Sequence, residues 1–95
     1  MWLQRAPLFE WDENKRCANL ARHHLDLIDG QALFDGRPVI TYSSPRDGET
    51  RFVTVGRLGP KFFALVWTSR GDAIRLISFR RARDGEERLH RARLG

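Results

Sequence analysis

The stretch Asp72-Ala73-Ile74-Arg75-Leu76-Ile77-Ser78-Phe79-Arg80-Arg81-Ala82 is the last hydrophobic run of the chain, and it reads as a strand. Ser69-Arg70-Gly71-Asp72 before it is turn chemistry. Side chains alternate along a strand, so Ile74, Leu76 and Ser78 are expected on one face and Arg75, Ile77 and Phe79 on the other. Arg80 and Arg81 close the run and cannot share a face while the strand lasts. Two readings of that pair stand side by side. It holds cations rigidly beside an anionic ligand, or it is a solvated exit into the next helix.

Working back from this strand, Lys61 opens the most continuous apolar run, Phe62-Phe63-Ala64-Leu65-Val66-Trp67, expected to be the central strand and buried on both faces. Arg51 to Arg57 reads as a strand joined to it through Leu58-Gly59-Pro60, and Val39-Ile40-Thr41-Tyr42 as another. Ser43 to Gly48 carries the turn signals of a loop. Short turns between such strands predict an antiparallel meander. Leu8-Phe9-Glu10-Trp11 reads as a further strand at a sheet edge.

Asp12 is a suitable N-cap for a helix running to about His24. Cys17, Leu20, Ala21 and His24 form its apolar stripe, and Lys15, Asn19 and His23, at steps of four, a surface row with Arg22 beside it. Asp26 caps a second, short helix, with Asp29 at its third position and Asp35-Gly36 at its end. Gly30 inside that helix costs about 1 kcal/mol relative to alanine. Asp84 to Leu94 is helix-like, though weakened by Gly85. The expectation is an α+β fold: a small antiparallel sheet of three to four strands, two N-terminal helices packed on one face, and a short C-terminal helix. The other face stays open to a ligand, bordered by Arg57, Arg75, Arg80 or Arg81.

Ninety-five residues suffice for one domain, residues 1–95, with a modest core. The hydrophobic fraction of 41% against 31% charged is that of an ordinary soluble globular chain. The net charge is +5 and the sequence pI about 10.6, with Arg greatly outnumbering Lys. Arg favours bidentate phosphate recognition and base stacking, which puts nucleic acid first among partners and an acidic protein second. The single cysteine, Cys17, excludes an internal disulfide and a cysteine-based zinc site, and fits a reducing cytoplasm. No apolar run is long enough to span a bilayer, and Met1 to Arg5 lacks the pattern of a signal peptide. Neither an HxxxH pair nor a carboxylate cluster occurs, so no metal or other cofactor is expected.

Phe9-Glu10-Trp11-Asp12, Lys15, Asn19 and Arg22-His23 resemble the opening signature of the BrnT toxins. So do Glu49, Arg51, Thr68, Ile74 to Ser78, Arg80-Arg81-Ala82 and Glu86, and together the likeness covers roughly Leu8 to Leu89. The resemblance implies a RelE-like fold and a ribonuclease toxin of a bacterial type II toxin–antitoxin pair that stops translation. It implies neutralisation by a BrnA-like ribbon-helix-helix antitoxin in a 2:2 heterotetramer that reaches operator DNA through the antitoxin. Arg80 and Arg81 match the family's active-site arginines, and Lys15 and His23 its basic positions on the first helix. One departure is His24, where the family carries a helix-ending glycine.

Metal-free RNA cleavage uses the ribose 2′-OH as nucleophile. The protein then supplies a base, a proton donor and cations for the developing phosphorane. Arg80 and Arg81 come first for the cations, with Arg75, Arg57 and Arg51 as further phosphate contacts. His23 titrates near neutrality and is a candidate base, or else a surface histidine. Lys15 binds phosphate, acts as a base, or is simply exposed. Glu49 is a further base candidate, or only the partner of Arg51. Trp67, Phe62 and Phe63 are expected in the core, Trp11 against the first helix, and Trp2 exposed. The competing reading is a non-catalytic basic module that binds nucleic acid or an antitoxin.

Overall fold

The computed structural model describes residues 8–94; the expectations for Met1 to Arg5, including Trp2, lie outside that range. Five strands form one sheet: β1 (Leu8–Glu10), β2 (Val39–Ser43), β3 (Phe52–Leu58), β4 (Lys61–Arg70) and β5 (Ala73–Arg81). Their order is β1-β5-β4-β3-β2, so the apolar run of β4 is central, as its composition requires. The chain from β2 to β5 is an antiparallel meander, while β1 pairs parallel to β5 through Leu8, Phe9 and Glu10. The expectation of three to four antiparallel strands is thus corrected to a five-stranded mixed sheet. A parallel edge strand leaves no hairpin signal, because its connection to β5 passes through all the rest of the chain.

One face of the sheet is covered by α1 (Glu13–His23) and a 3-10 helix (Leu27–Phe34). The buried residues of the 3-10 helix are Leu27, Gly30 and Leu33, three apart, as its three residues per turn demand. An α-helix would have spread them round its axis. A Cβ on Gly30 would stand 2.6 Å from Leu65 Cδ1, and one on Gly56 2.7 Å from Leu33 Cδ2. Both glycines let the 3-10 helix lie directly on the sheet. Leu27, Leu33, Leu65, Leu76 and Phe79 form the core there, with Phe63 and Trp67 packed against it.

A smaller core, Val53, Val55 and Ala64, lies on the opposite face. That face was expected to be open to a ligand. Instead α2 (Asp84–Leu94) crosses it against β2 and β3, with His90 edge-on to Phe62 at 5.1 Å between ring centroids. The part of the face towards Arg51, Val66 and Ser78 borders an open groove.

The alternation expected in β5 is broken once. Val66 pairs with Ser78 and Trp67 with Leu76, leaving Ile77 unpaired as a β-bulge. Leu76 and Phe79 therefore both enter the same core, three residues apart. Ser78 and Arg80 pair with Val66 and Ala64, which belong to the opposite face. Without the bulge Arg80 would point into the helix-covered core.

Candidate active site

α1 approaches β5 through a polar residue. Asn19 is 5% exposed, and its amide reaches the backbone of β5 beyond the point where β1 ends. Nδ2 donates to the Phe79 carbonyl at 2.9 Å and to the Leu25 carbonyl at 2.8 Å, while Oδ1 accepts from the Phe79 N–H at 2.8 Å. The amide thus substitutes for a neighbouring strand and satisfies backbone groups that would otherwise be buried unpaired. The orientation of α1 is therefore the reverse of that expected. Of the supposed surface row, Asn19 is buried against the sheet and His23 half-buried, while Lys15 stays exposed; Cys17, Leu20, Ala21 and His24 are exposed too, Leu20 by 53%.

This orientation sets α1 along the β5 edge of the sheet, so that Arg22 and His23 border a groove of about 380 Å³ on the uncovered face. Arg22 and His23 of α1, Arg46 and Arg51 of the β2–β3 connection, Arg80 of β5 and Arg83 before α2 line it. None of the lining residues is a carboxylate. A smaller adjoining cavity shares Arg22, His23, Ile77 and Ser78 and extends the groove to Lys15. Arg46 and Arg51 are held by a hairpin in which Arg46 and Glu49 exchange backbone hydrogen bonds at 2.9 Å. Asp47 and Gly48 both have positive φ, 51° and 78°, as a type I′ turn requires.

Arg80 is fixed from behind. Its two terminal nitrogens donate to the two oxygens of Glu86 at 2.8 and 2.9 Å, and Nη1 also donates to the Arg81 carbonyl at 3.3 Å. A guanidinium has five N–H donors, so donors remain for a ligand. Glu86 also accepts from the Tyr42 hydroxyl and, at 2.7 Å, from the Arg83 N–H. That last bond is half of a capping box, in which the third residue of α2 reaches back to the residue before the helix. Burial alone would push the Glu86 carboxyl up. The hydrogen bonds from Arg80, Tyr42 and the Arg83 backbone outweigh it and hold the carboxyl at about 2. Burial, then the hydrogen bond to Glu86 and its charge, push the Tyr42 phenol up.

His23 moves the other way. Burial first, then the positive charges of Arg22 and Arg80, hold its imidazole below 6.5. At neutral pH it therefore favours the uncharged form, set among cations.

Of the residues singled out in the sequence, Lys15, His23, Arg51 and Arg80 meet in this groove. Arg81 does not. It lies on the helix-covered side with its guanidinium 5.5 Å from the Phe63 ring centroid, and donates to the Phe62 carbonyl at 3.4 Å. Arg75 is paired with Glu10 at 3.7 Å near the start of β5, and Arg57 lies at the far end of β3. Glu49 is engaged by Arg51 at 2.6 Å, and that hydrogen bond, then the partner's charge, hold its carboxyl below the usual range. The sequence reading missed Arg22, Arg46 and Arg83 as lining residues and Tyr42 and Glu86 as supports. The Asp47-Gly48 pair, a hairpin signature, was the available signal for Arg46. Among the described residues no group of His, Cys, Asp or Glu side chains is arranged to hold a metal ion. Among the same residues no helix is long and apolar enough to cross a membrane.

Fold and groove together define a small basic α+β protein whose open sheet face suits a polyanion. Within that class its family is specific: the model described as "Ribonuclease toxin, BrnT, of type II toxin-antitoxin system" matches residues 11–86, and the chain belongs to this family. No curated protein matches the chain. Membership brings a ribonuclease toxin function, an RNA substrate and a protein antitoxin.

Proposed function

We propose that this chain is a metal-independent endoribonuclease that stops translation by cutting RNA in the groove between α1 and the open face of the sheet. The observation that carries the reading is the lining: five arginines around a histidine held neutral, with no carboxylate among them. His23 takes the proton from the ribose 2′-OH, whose oxygen attacks the adjacent phosphorus. The P–O bond to the next nucleotide breaks, giving a 2′,3′-cyclic phosphate and a 5′-hydroxyl. Arg80, steadied by Glu86, and Arg51 hold the non-bridging oxygens as charge builds on them. Lys15, at the groove's end, gives the proton to the departing oxygen. Arg81, Arg75 and Arg57 have no part in the bond-breaking step.

The fold is read as RelE-like, on the strength of the meander with α1 and the 3-10 helix on one face. The resemblance to BrnT toxins supports a BrnA-like ribbon-helix-helix antitoxin, a 2:2 assembly and operator DNA reached through the antitoxin. An acidic or mixed segment of the antitoxin covers the groove and so denies RNA entry. A cytoplasmic location suits translated RNA as the target.

The test is incubation of purified protein with RNA in the presence of a chelator. Wild type is expected to cleave. Arg80→Lys keeps a charge against Glu86 but loses the fork, and is expected to melt at a lower temperature and, assayed well below that temperature, to cleave about 100-fold more slowly. If RNA is bound but never cut, and Arg80→Lys alters only a salt-sensitive affinity, the chain is a basic binding module instead.

A further inference from the structure

A second cavity, about 220 Å³, opens at the far end of the sheet, where the last turns of α2 meet β2 and β3. Pro38, Phe62 and Leu94 give it apolar walls, and Arg37, Arg57 and Arg91 stand around them. The guanidinium of Arg57 is 5.7 Å, and that of Arg91 4.9 Å, from the centroid of the Phe62 ring. Arg37 is pinned by Asp35 at 2.6 and 2.8 Å and donates to the Arg57 carbonyl at 2.7 Å. No lining residue is a carboxylate, although Glu87 lies 3.7 Å from Arg91. Arg57 donates to the Gly59 carbonyl at 3.1 Å and, among the described residues, has no ion-pair partner.

We propose that this cavity is a second RNA subsite, gripping the phosphodiester backbone of a strand whose scissile bond lies in the groove. The inference rests on the reading of the chain as an RNA-cutting toxin. Its first support is placement. Val53 and Val55 share the α2-side core, and by alternation Arg51 and Arg57 lie on that same face. Arg51 lines the groove and Arg57 this cavity, six positions apart, or about 20 Å at the rise of a strand. Because α2 covers Val53 and Val55 between them, an extended strand of RNA that touches both passes over α2. The second support is chemistry. A guanidinium lying over a ring keeps its N–H edge for phosphate oxygens while the ring limits its motion. Apolar walls beside those cations suit a ribose or base, the mixture that single-strand sites use.

The test compares 2′-O-methyl RNA oligomers of four and twelve nucleotides, which cannot be cut, by fluorescence anisotropy across a salt series. The variant is Arg57→Gln with Arg91→Gln, which keeps part of each aliphatic stem over Phe62; unchanged thermal melting verifies its fold. Wild type is expected to prefer the dodecamer, and the double variant to lose that preference by roughly tenfold. The dodecamer's salt slope falls by about 1.4, the value for two lost single-strand phosphate contacts. If dodecamer affinity and slope are unchanged while Arg51→Gln weakens binding, the subsite is overturned and the groove reading survives. If wild type binds neither oligomer, both fail. If the double variant keeps RNA binding but loses its antitoxin, the cavity belongs to an acidic protein partner and the proposal is overturned.

Discussion

Asn19 and His24 hold opposite lessons about single residues in α1. Asn19 was legible as a position but not as a role, because helical periodicity asks which face is apolar. Here the buried side meets the unpaired backbone of a strand, and an amide serves that better than a methyl group. The stripe of Cys17, Leu20 and Ala21 was consequently turned outward. His24, placed in the apolar stripe by periodicity, was legible as a helix end only through the glycine the family carries there. It follows the helix with φ 58° and ψ 30°, the left-handed region, and its N–H donates to the Leu20 carbonyl at 2.9 Å. A residue with a Cβ pays about 1–2 kcal/mol to sit there, and glycine does not. His24→Gly is therefore expected to raise stability by about 1 kcal/mol in chemical denaturation, with the unfolding slope unchanged.

At the scale of elements, the bulge in β5 and the cap of α2 build the site together. The bulge turns Arg80 to the open face, and Glu86 in the first turn of α2 meets it there. Strand, turn and helix types were readable because composition and punctuation set them. The bulge was not, since alternation has no local marker for one extra residue. Nor was the face chosen by α2, which depends on Tyr42 and Arg80 converging on Glu86 from distant parts of the chain. This cluster makes stability acid-sensitive. The folded-state value of Glu86 is about 2, below its ordinary 4.5, so its contribution is fully present above about 4.5 and is lost as pH falls towards 2. Glu86→Gln is expected to lower stability at pH 7, by about 3 kcal/mol for a broken buried pair, and to flatten the dependence between pH 4.5 and 2. Melting temperatures across that range measure both effects.

For the molecule as a whole, the excess of arginine was visible in composition, and folding divides it by function. Arg22, Arg46, Arg51, Arg80 and Arg83 border the groove, Arg37, Arg57 and Arg91 the second cavity, and Arg16 ties α1 to the start of the 3-10 helix through Asp26 at 2.9 Å. Composition cannot make this division, because it arises from tertiary contacts. It gives His23 its setting, with burial and two neighbouring cations holding the imidazole below its ordinary value, as the proposed base role requires. The most direct measurement is the pH dependence of kcat/KM for RNA cleavage in a chelating buffer, which reports the free protein. The account predicts a rise with pH that levels off through an inflection below 6.5. His23→Gln should lose that inflection and at least about 100-fold in rate. A His23→Gln protein that cuts RNA at the wild-type rate, with the same acid limb, would contradict it.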